Sequence, residues 1–189
     1  MRSALVLFFL FFSPLILMAE KIFYIVHFAG IDDKETLEAL KSTSQLISLR
    51  KKKPSSPQAL RFRAESDFPA LLKTLQNYGY LEAELQLNLE KLEDKQYLVT
   101  IQISPGPRYQ IAQYKTQPSV DLDLSLEGPL IAQKILDTDA KLLKLLSEKA
   151  YPFAAIKKRE IVADGETKSA KVLLEVDKGP LSFFGPATL

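Results

Sequence analysis

A leucine-rich segment occurs twice in this chain. Leu71-Leu72-Lys73-Thr74-Leu75, followed by Tyr80 and Ala83, returns about 70 residues later as Leu142-Leu143-Lys144-Leu145-Leu146 with Tyr151 and Ala154. Farther along, Gly106-Pro107 returns as Gly179-Pro180 at nearly the same spacing. A repeat of this period means that one structural unit is used twice, each copy burying its own apolar residues. It predicts two small modules, residues 20–107 and 108–180, with 181–189 as the start of a further strand or a tail.

Each copy has its own internal pattern. In the first, Ile22 to Phe28 is a β-branched and aromatic run closed by Gly30, which suits a buried strand. Asp32 or Asp33 caps a helix reaching about Leu49, and Pro54-Ser55-Ser56-Pro57 marks Arg50 to Gln58 as a loop. Ser66 opens a second helix with Leu71, Leu72 and Leu75 on one face, ended by Gly79. Leucines then alternate with Glu82, Glu84, Gln86 and Asn88 over Leu81 to Glu90, the period of a half-buried strand. Tyr97, Val99, Ile101 and Ile103 repeat the alternation, with Glu93-Asp94-Lys95 as the hairpin turn.

The second copy follows the same order more loosely. It predicts a strand from Arg108 to Tyr114, a loop to Gly128-Pro129, helices over Leu130–Leu136 and Thr138–Lys149, and strands over Phe153–Ala163 and Ser169–Asp177. Ala150 stands where the first copy has its capping glycine, and Lys157, Lys158 and Arg159 interrupt the alternation. Asp164-Gly165 supplies the hairpin turn.

Ahead of the repeat, Arg2 precedes a run without charge from Ala4 to Met18, shorter than the ~20 apolar residues that span a bilayer. This is the layout of a signal peptide, residues 1–19, with cleavage predicted between Ala19 and Glu20. The alternative is an uncleaved anchor. With no cysteine there are no disulfides, no thiolate chemistry and no lipoprotein anchor, so packing alone holds the modules. Twenty-five basic and 23 acidic residues leave a net charge of +2, too little for a global field that would gather nucleic acid.

Strand, helix, helix, strand, strand in about 75 residues, duplicated behind a leader, resembles the polypeptide-transport-associated (POTRA) domains of the BamA/TamA superfamily of outer-membrane assembly proteins. Leu71-Leu72 with Tyr78-Gly79-Tyr80 is similar to the helix-ending Gly-Tyr of such domains. Ser104-Pro105-Gly106-Pro107-Arg108-Tyr109 resembles the junction between successive domains, and Asp177-Lys178-Gly179-Pro180 with Phe184-Gly185 resembles the next junction. The resemblance implies an α+β fold of two tandem β-α-α-β-β modules, each a three-stranded mixed sheet covered on one face by two helices. It implies a periplasmic scaffold associated with the outer membrane, not an enzyme and without cofactors, that binds outer-membrane protein clients. Members of the superfamily carry a membrane β-barrel of about 16 strands. None is encoded in these 189 residues. The chain then reads either as a truncated or split member whose barrel is a separately encoded partner subunit, or as a free-standing periplasmic adaptor. The alternative is that the chain is itself an inner-membrane anchored POTRA interaction protein of another envelope complex, its N-terminal segment uncleaved.

An unpaired strand edge binds extended chains through backbone groups. By resemblance that role falls to Glu82, Glu84, Leu85, Gln86, Leu87 and Asn88, and less directly to Phe153–Ala163, the alternative being that Glu82, Glu84 and Glu90 only guard the edge against pairing. Arg50, Lys51, Lys52 and Lys53 form a basic loop that either keeps the chain soluble or meets anionic lipid head groups or an acidic partner. The single histidine, His27, stands in a strand pattern without a nucleophile motif and reads as structural. The acidic pairs Asp32-Asp33, Asp121 with Asp123, and Asp137 with Asp139 sit at turns or helix starts, where capping accounts for them better than a metal does.

Overall fold

The computed structural model describes residues 21–183 except 121 and 123. The predicted signal peptide and its cleavage site, the Asp121–Asp123 pair and the Phe184-Gly185 junction lie outside the described residues.

The first module comprises β1 (Phe23–Ala29), α1 (Lys34–Thr43), α2 (Gln45–Ser48), α3 (Pro57–Asn77), β2 (Glu84–Glu93) and β3 (Gln96–Ser104). Its sheet has the order β1-β3-β2, with β1 parallel and β2 antiparallel to the central strand. Leu85, Leu87 and Leu89 face the helices opposite Ile103, Ile101 and Val99, and Leu40, Leu46, Leu60, Leu71 and Leu75 close the core from the helical side. This is the arrangement predicted from the alternation: one face of the sheet is covered and one is open.

Local chemistry explains the helix boundaries, and two of them depart from the sequence pattern. Asp33 caps α1, its carboxylate accepting from the Thr36 amide and hydroxyl. The helix stops at Ser44, whose backbone is extended, so the single helix predicted to reach Leu49 is two. Asp67, buried on α3, accepts from the Ser44 hydroxyl at 2.6 Å and the Gln45 and Leu46 amides at 2.9 and 3.1 Å, capping α2 from another element. The second helix starts at Pro57, nine residues ahead of the predicted Ser66. Ser56 caps it by accepting from the Ala59 amide, and Pro57 takes the first helical position, where the missing N–H has no cost. Ser66 sits inside the helix with its hydroxyl on the Phe62 carbonyl.

The second module comprises β4 (Gln110–Gln117), β5 (Gly128–Pro129), α4 (Ala132–Glu148), β6 (Ala155–Asp164) and β7 (Ser169–Asp177). The sheet order is β5-β4-β7-β6, so a two-residue strand is added to the expected three. The two predicted helices are one. Nothing breaks the chain between Leu136 and Thr138, and Ile135, Asp139, Leu142 and Leu146 bury one continuous face. Ahead of β5, Val120, Leu122, Leu124 and Leu126 of the predicted loop pack against the core.

The repeat is visible in backbone detail. Both long helices end in a Schellman motif: the Tyr80 amide bonds to the Leu75 carbonyl and the Gly79 amide to that of Gln76, as Tyr151 bonds to Leu146 and Ala150 to Ser147. Gly79 and Ala150 both hold positive φ, +89° and 70°. The two cores are separate, one built from residues between Ile22 and Ile103 and the other from residues between Tyr109 and Val176.

Candidate partner-binding surfaces

The free edge of β2 is the first candidate. Among the described residues β2 pairs with β3 alone, leaving one side of a ten-residue strand open. Glu84, Gln86 and Asn88 are exposed on the open face, while Leu85 and Leu87 anchor the strand to the core. The strand begins at Glu84, so Leu81 to Ala83 of the predicted span lie outside it. Its turn is tighter than predicted, with Lys95 at positive φ. In the second module β6 is the edge, paired with β7 alone. A register shift between Ile156 and Lys158 explains the interrupted alternation there. It brings Arg159 to the helix side, where its guanidinium donates to the buried Asp139, which also accepts from the Tyr114 hydroxyl at 2.7 Å. Ile161 and Val162, farther along β6, are exposed.

The basic loop has a fixed shape. The Arg63 guanidinium, from α3, donates to the Lys52 carbonyl at 2.7 Å, to that of Leu49 at 3.4 Å and to the Tyr24 hydroxyl at 3.3 Å. Tyr24 in turn donates to the Leu46 carbonyl, and the Ile22 amide bonds to the Pro54 carbonyl. Arg50, Lys51, Lys52 and Lys53 are all exposed, and the Lys53 ammonium lies 3.4 Å from the centroid of the exposed Phe23 ring. Phe23, Tyr24, Ile25, Arg50, Lys53 and Gln96 line a shallow cavity of about 200 Å3.

Sequence reasoning missed the junction between the modules. Glu82, predicted as an edge-strand residue, reaches across it instead, its Oε1 accepting from the Tyr109 hydroxyl and the Lys168 ammonium, both at 2.6 Å. Those bonds, Lys168 foremost, hold the Glu82 carboxyl below the usual carboxylate range, and the same carboxylate holds the Tyr109 hydroxyl above the usual phenol range. Arg108 donates to the Tyr78 carbonyl at 3.0 Å, pairs with Asp33 at 3.5 Å and lies over the Tyr80 ring. The Tyr109 amide bonds to the Gly79 carbonyl at 2.9 Å. The Arg108-Tyr109 junction motif was the available signal; its partners are not legible from it.

The far end of the second module repeats this geometry. The Ser182 amide bonds to the Ala150 carbonyl at 2.9 Å, as Tyr109 does to Gly79. Gly106 and Gly179 share a φ of +65°; the first lies against Glu82, the second against Phe153. Phe153 and Phe183 are exposed there, 69% and 81%, beside a cavity of about 380 Å3 lined by Ser147, Glu148, Ala150, Pro152, Ser182 and Phe183.

His27 and Asp137 stay apart from these surfaces, whereas Asp33 meets Arg108 at the junction and Asp139 meets Arg159 of β6. His27 lies exposed on the open face of β1, which is an edge strand with every second residue turned out, not the buried strand predicted. Asp33 is a cap, as predicted, but Asp139 is a buried partner of Tyr114 and Arg159 in mid-helix, and Asp137 is exposed and accepts from Gln133. Among the described residues no three acidic or histidine side chains converge as metal ligands would. A cavity of about 870 Å3 at the end of the second sheet carries ion pairs, Lys157 with Asp177 and Lys158 with Glu160. Among the described residues no helix is long and apolar enough to cross a membrane.

No family model and no curated protein matches the chain. Among solved structures it is similar to POTRA domains 3–5 of BamA from Haemophilus influenzae, at 19% identity over 85% of this chain and 67% of that one, with a TM-score of 0.43. It is similar also to POTRA domains 1–3 of the periplasmic domain of Omp85 from Anabaena, at 14% identity over 84% of this chain and 60% of that one, with a TM-score of 0.41. For POTRA domains 1–2 of the same Anabaena domain the identity is 12%, the coverage 86% of this chain and 96% of that one, and the TM-score 0.41. The chain has a POTRA-like α+β fold: the strand order β1-β3-β2 of the first sheet recurs as β4-β7-β6 in the second, where one helix and the added β5 replace the expected pair of helices.

Proposed function

We propose that this protein is a periplasmic scaffold in the assembly or translocation of outer-membrane proteins, holding extended client segments by adding them as a strand to β2. The unpaired edge of β2 carries this reading. A transmembrane β-strand is about ten residues of alternating polarity, and β2 offers ten residues with Leu85, Leu87 and Leu89 already committed to the core. Backbone pairing then supplies affinity with little demand on client sequence. The exposed charges Glu84 and Glu90 keep two such edges from pairing with each other. The chemistry is binding, without turnover or cofactor.

The repeated junction geometry supports a docking role as well. The end of the second module repeats the Gly79–Tyr109 bond as Ala150–Ser182 and, where the first module has Glu82, carries Phe153, exposed like Phe183. A folded module of a separate subunit, such as one bearing a β-barrel, fits that face.

The test is an NMR titration of the protein with a ten-residue peptide of alternating polar and apolar residues. Amide shifts are expected along Glu84–Glu93 and not along β1, and a peptide with prolines at alternate positions is expected to produce none. Shifts confined to other elements, or equal shifts with the proline peptide, would remove the augmentation reading.

A further inference from the structure

The corner where the chain enters the first module joins two features that the strand-edge reading leaves unused: a cationic loop and exposed apolar side chains. We propose that this corner, formed by Phe23, Ile25 and Arg50 to Lys53, docks on an anionic lipid surface.

Charge runs that serve only solubility need no defined shape. This one has a defined shape, because Arg63 is spent on holding the Leu49 and Lys52 carbonyls and Pro54 is tied to Ile22. Among the described residues no carboxylate pairs with Arg50, Lys51 or Lys52, so their charge is available to a partner. Asp94, on the nearby β2–β3 hairpin, is taken by Lys91. Phe23 and Ile25 are 53% and 41% exposed beside these cations, and Lys53 lies along the Phe23 ring. An aromatic ring flanked by lysines is the pairing found at bilayer interfaces, where the ring enters the acyl boundary and the ammonium stays among head groups. Phe23 and Ile25 give an acyl boundary the apolar contact that cations alone would not.

The proposal does not depend on client binding at β2, which lies on the other side of β3.

The chain has no tryptophan, so Phe23→Trp in the full-length protein introduces a single reporter at an already exposed position. With vesicles containing phosphatidylglycerol, a blue-shifted emission and quenching by brominated lipid are expected, suppressed at high salt. Adding Arg50→Gln, Lys51→Gln and Lys52→Gln is expected to weaken vesicle affinity on the order of 100-fold. A reporter at Phe153→Trp, in the second module, is expected to keep its aqueous emission. Equal responses to phosphatidylcholine vesicles, an unaffected triple variant or insertion of the Phe153→Trp reporter would each overturn the proposal. So would a response to polyglutamate with none to vesicles, which would make the corner a site for acidic polypeptides.

Discussion

Glu82 of the first module and Tyr109 of the second share a hydrogen bond of 2.6 Å, the tyrosine hydroxyl donating to a carboxylate oxygen that also receives the Lys168 ammonium. One half-exposed side chain thus ties the entrance of β2 to both the first strand and the last hairpin of its neighbour. Replacing it by alanine leaves both cores untouched, so the melting temperature is expected to stay within about 2 °C. The modules are expected to reorient more freely, read as divergent rotational correlation times in 15N relaxation.

Acidification should reproduce that loosening in the wild-type protein. The Glu82 carboxyl is held below the usual range by Lys168 first and Tyr109 second. A carboxyl depressed by folding contributes fully above its unfolded pKa of about 4.3 and loses that contribution as pH falls through the lower folded value. Correlation times of the two modules should therefore converge above pH 5 and separate toward pH 3, whereas Glu82→Ala should show only the smaller transition left by the Arg108–Asp33 pair.

Gly79 and Ala150 occupy the same place in the two copies and predict opposite outcomes. A Cβ on Gly79, at φ +89°, would lie 2.8 Å from the Leu130 carbonyl oxygen of the second module. Gly79→Ala is expected to destabilise by about 1–3 kcal/mol. Ala150 already holds the left-handed conformation at φ 70°, so Ala150→Gly is expected to stabilise the second module by about 0.5–1 kcal/mol. Urea denaturation of the two variants measures both.

Asp67 satisfies three donors at the start of α2 from within α3. Asp67→Ala strands the Ser44 hydroxyl and two amides in a buried site, for an expected loss of about 2–4 kcal/mol confined to the first module. Hydrogen exchange at the Leu46 amide should accelerate accordingly, with the second module's amides unchanged.

Tyr114 is held above the usual phenol range, by burial first and by its bond to Asp139 second. A tyrosine whose folded pKa is raised contributes fully below its unfolded value of about 10 and loses the contribution as pH rises from there. In an alkaline ultraviolet titration the folded protein and its Tyr114→Phe variant should therefore match through pH 11. Asp139→Ala, which leaves Tyr114 and Arg159 without their partner, is expected to cost about 2–3 kcal/mol, reduced because a third of the Arg159 side chain is exposed.

Local pattern determined a large part of this architecture. The period-two leucines of β2, the helical face from Leu71 to Leu75, the glycine ending α3 and the doubled motif all act within one element, where neighbours along the chain are neighbours in space. Even the early start of α3 was legible, in Ser56-Pro57. The loop predicted ahead of Gly128 is a loop, and its Val120, Leu122, Leu124 and Leu126 pack against the second core. Tertiary structure decided what those residues do: that Asp67 caps a helix far back in sequence, that Arg63 shapes the basic loop, and that Glu82 leaves the strand edge to clasp the next module. Each of these is a contact between charged or polar groups far apart in the chain. Periodicity records which side of an element is apolar, and it carries no record of which distant donor a carboxylate will meet.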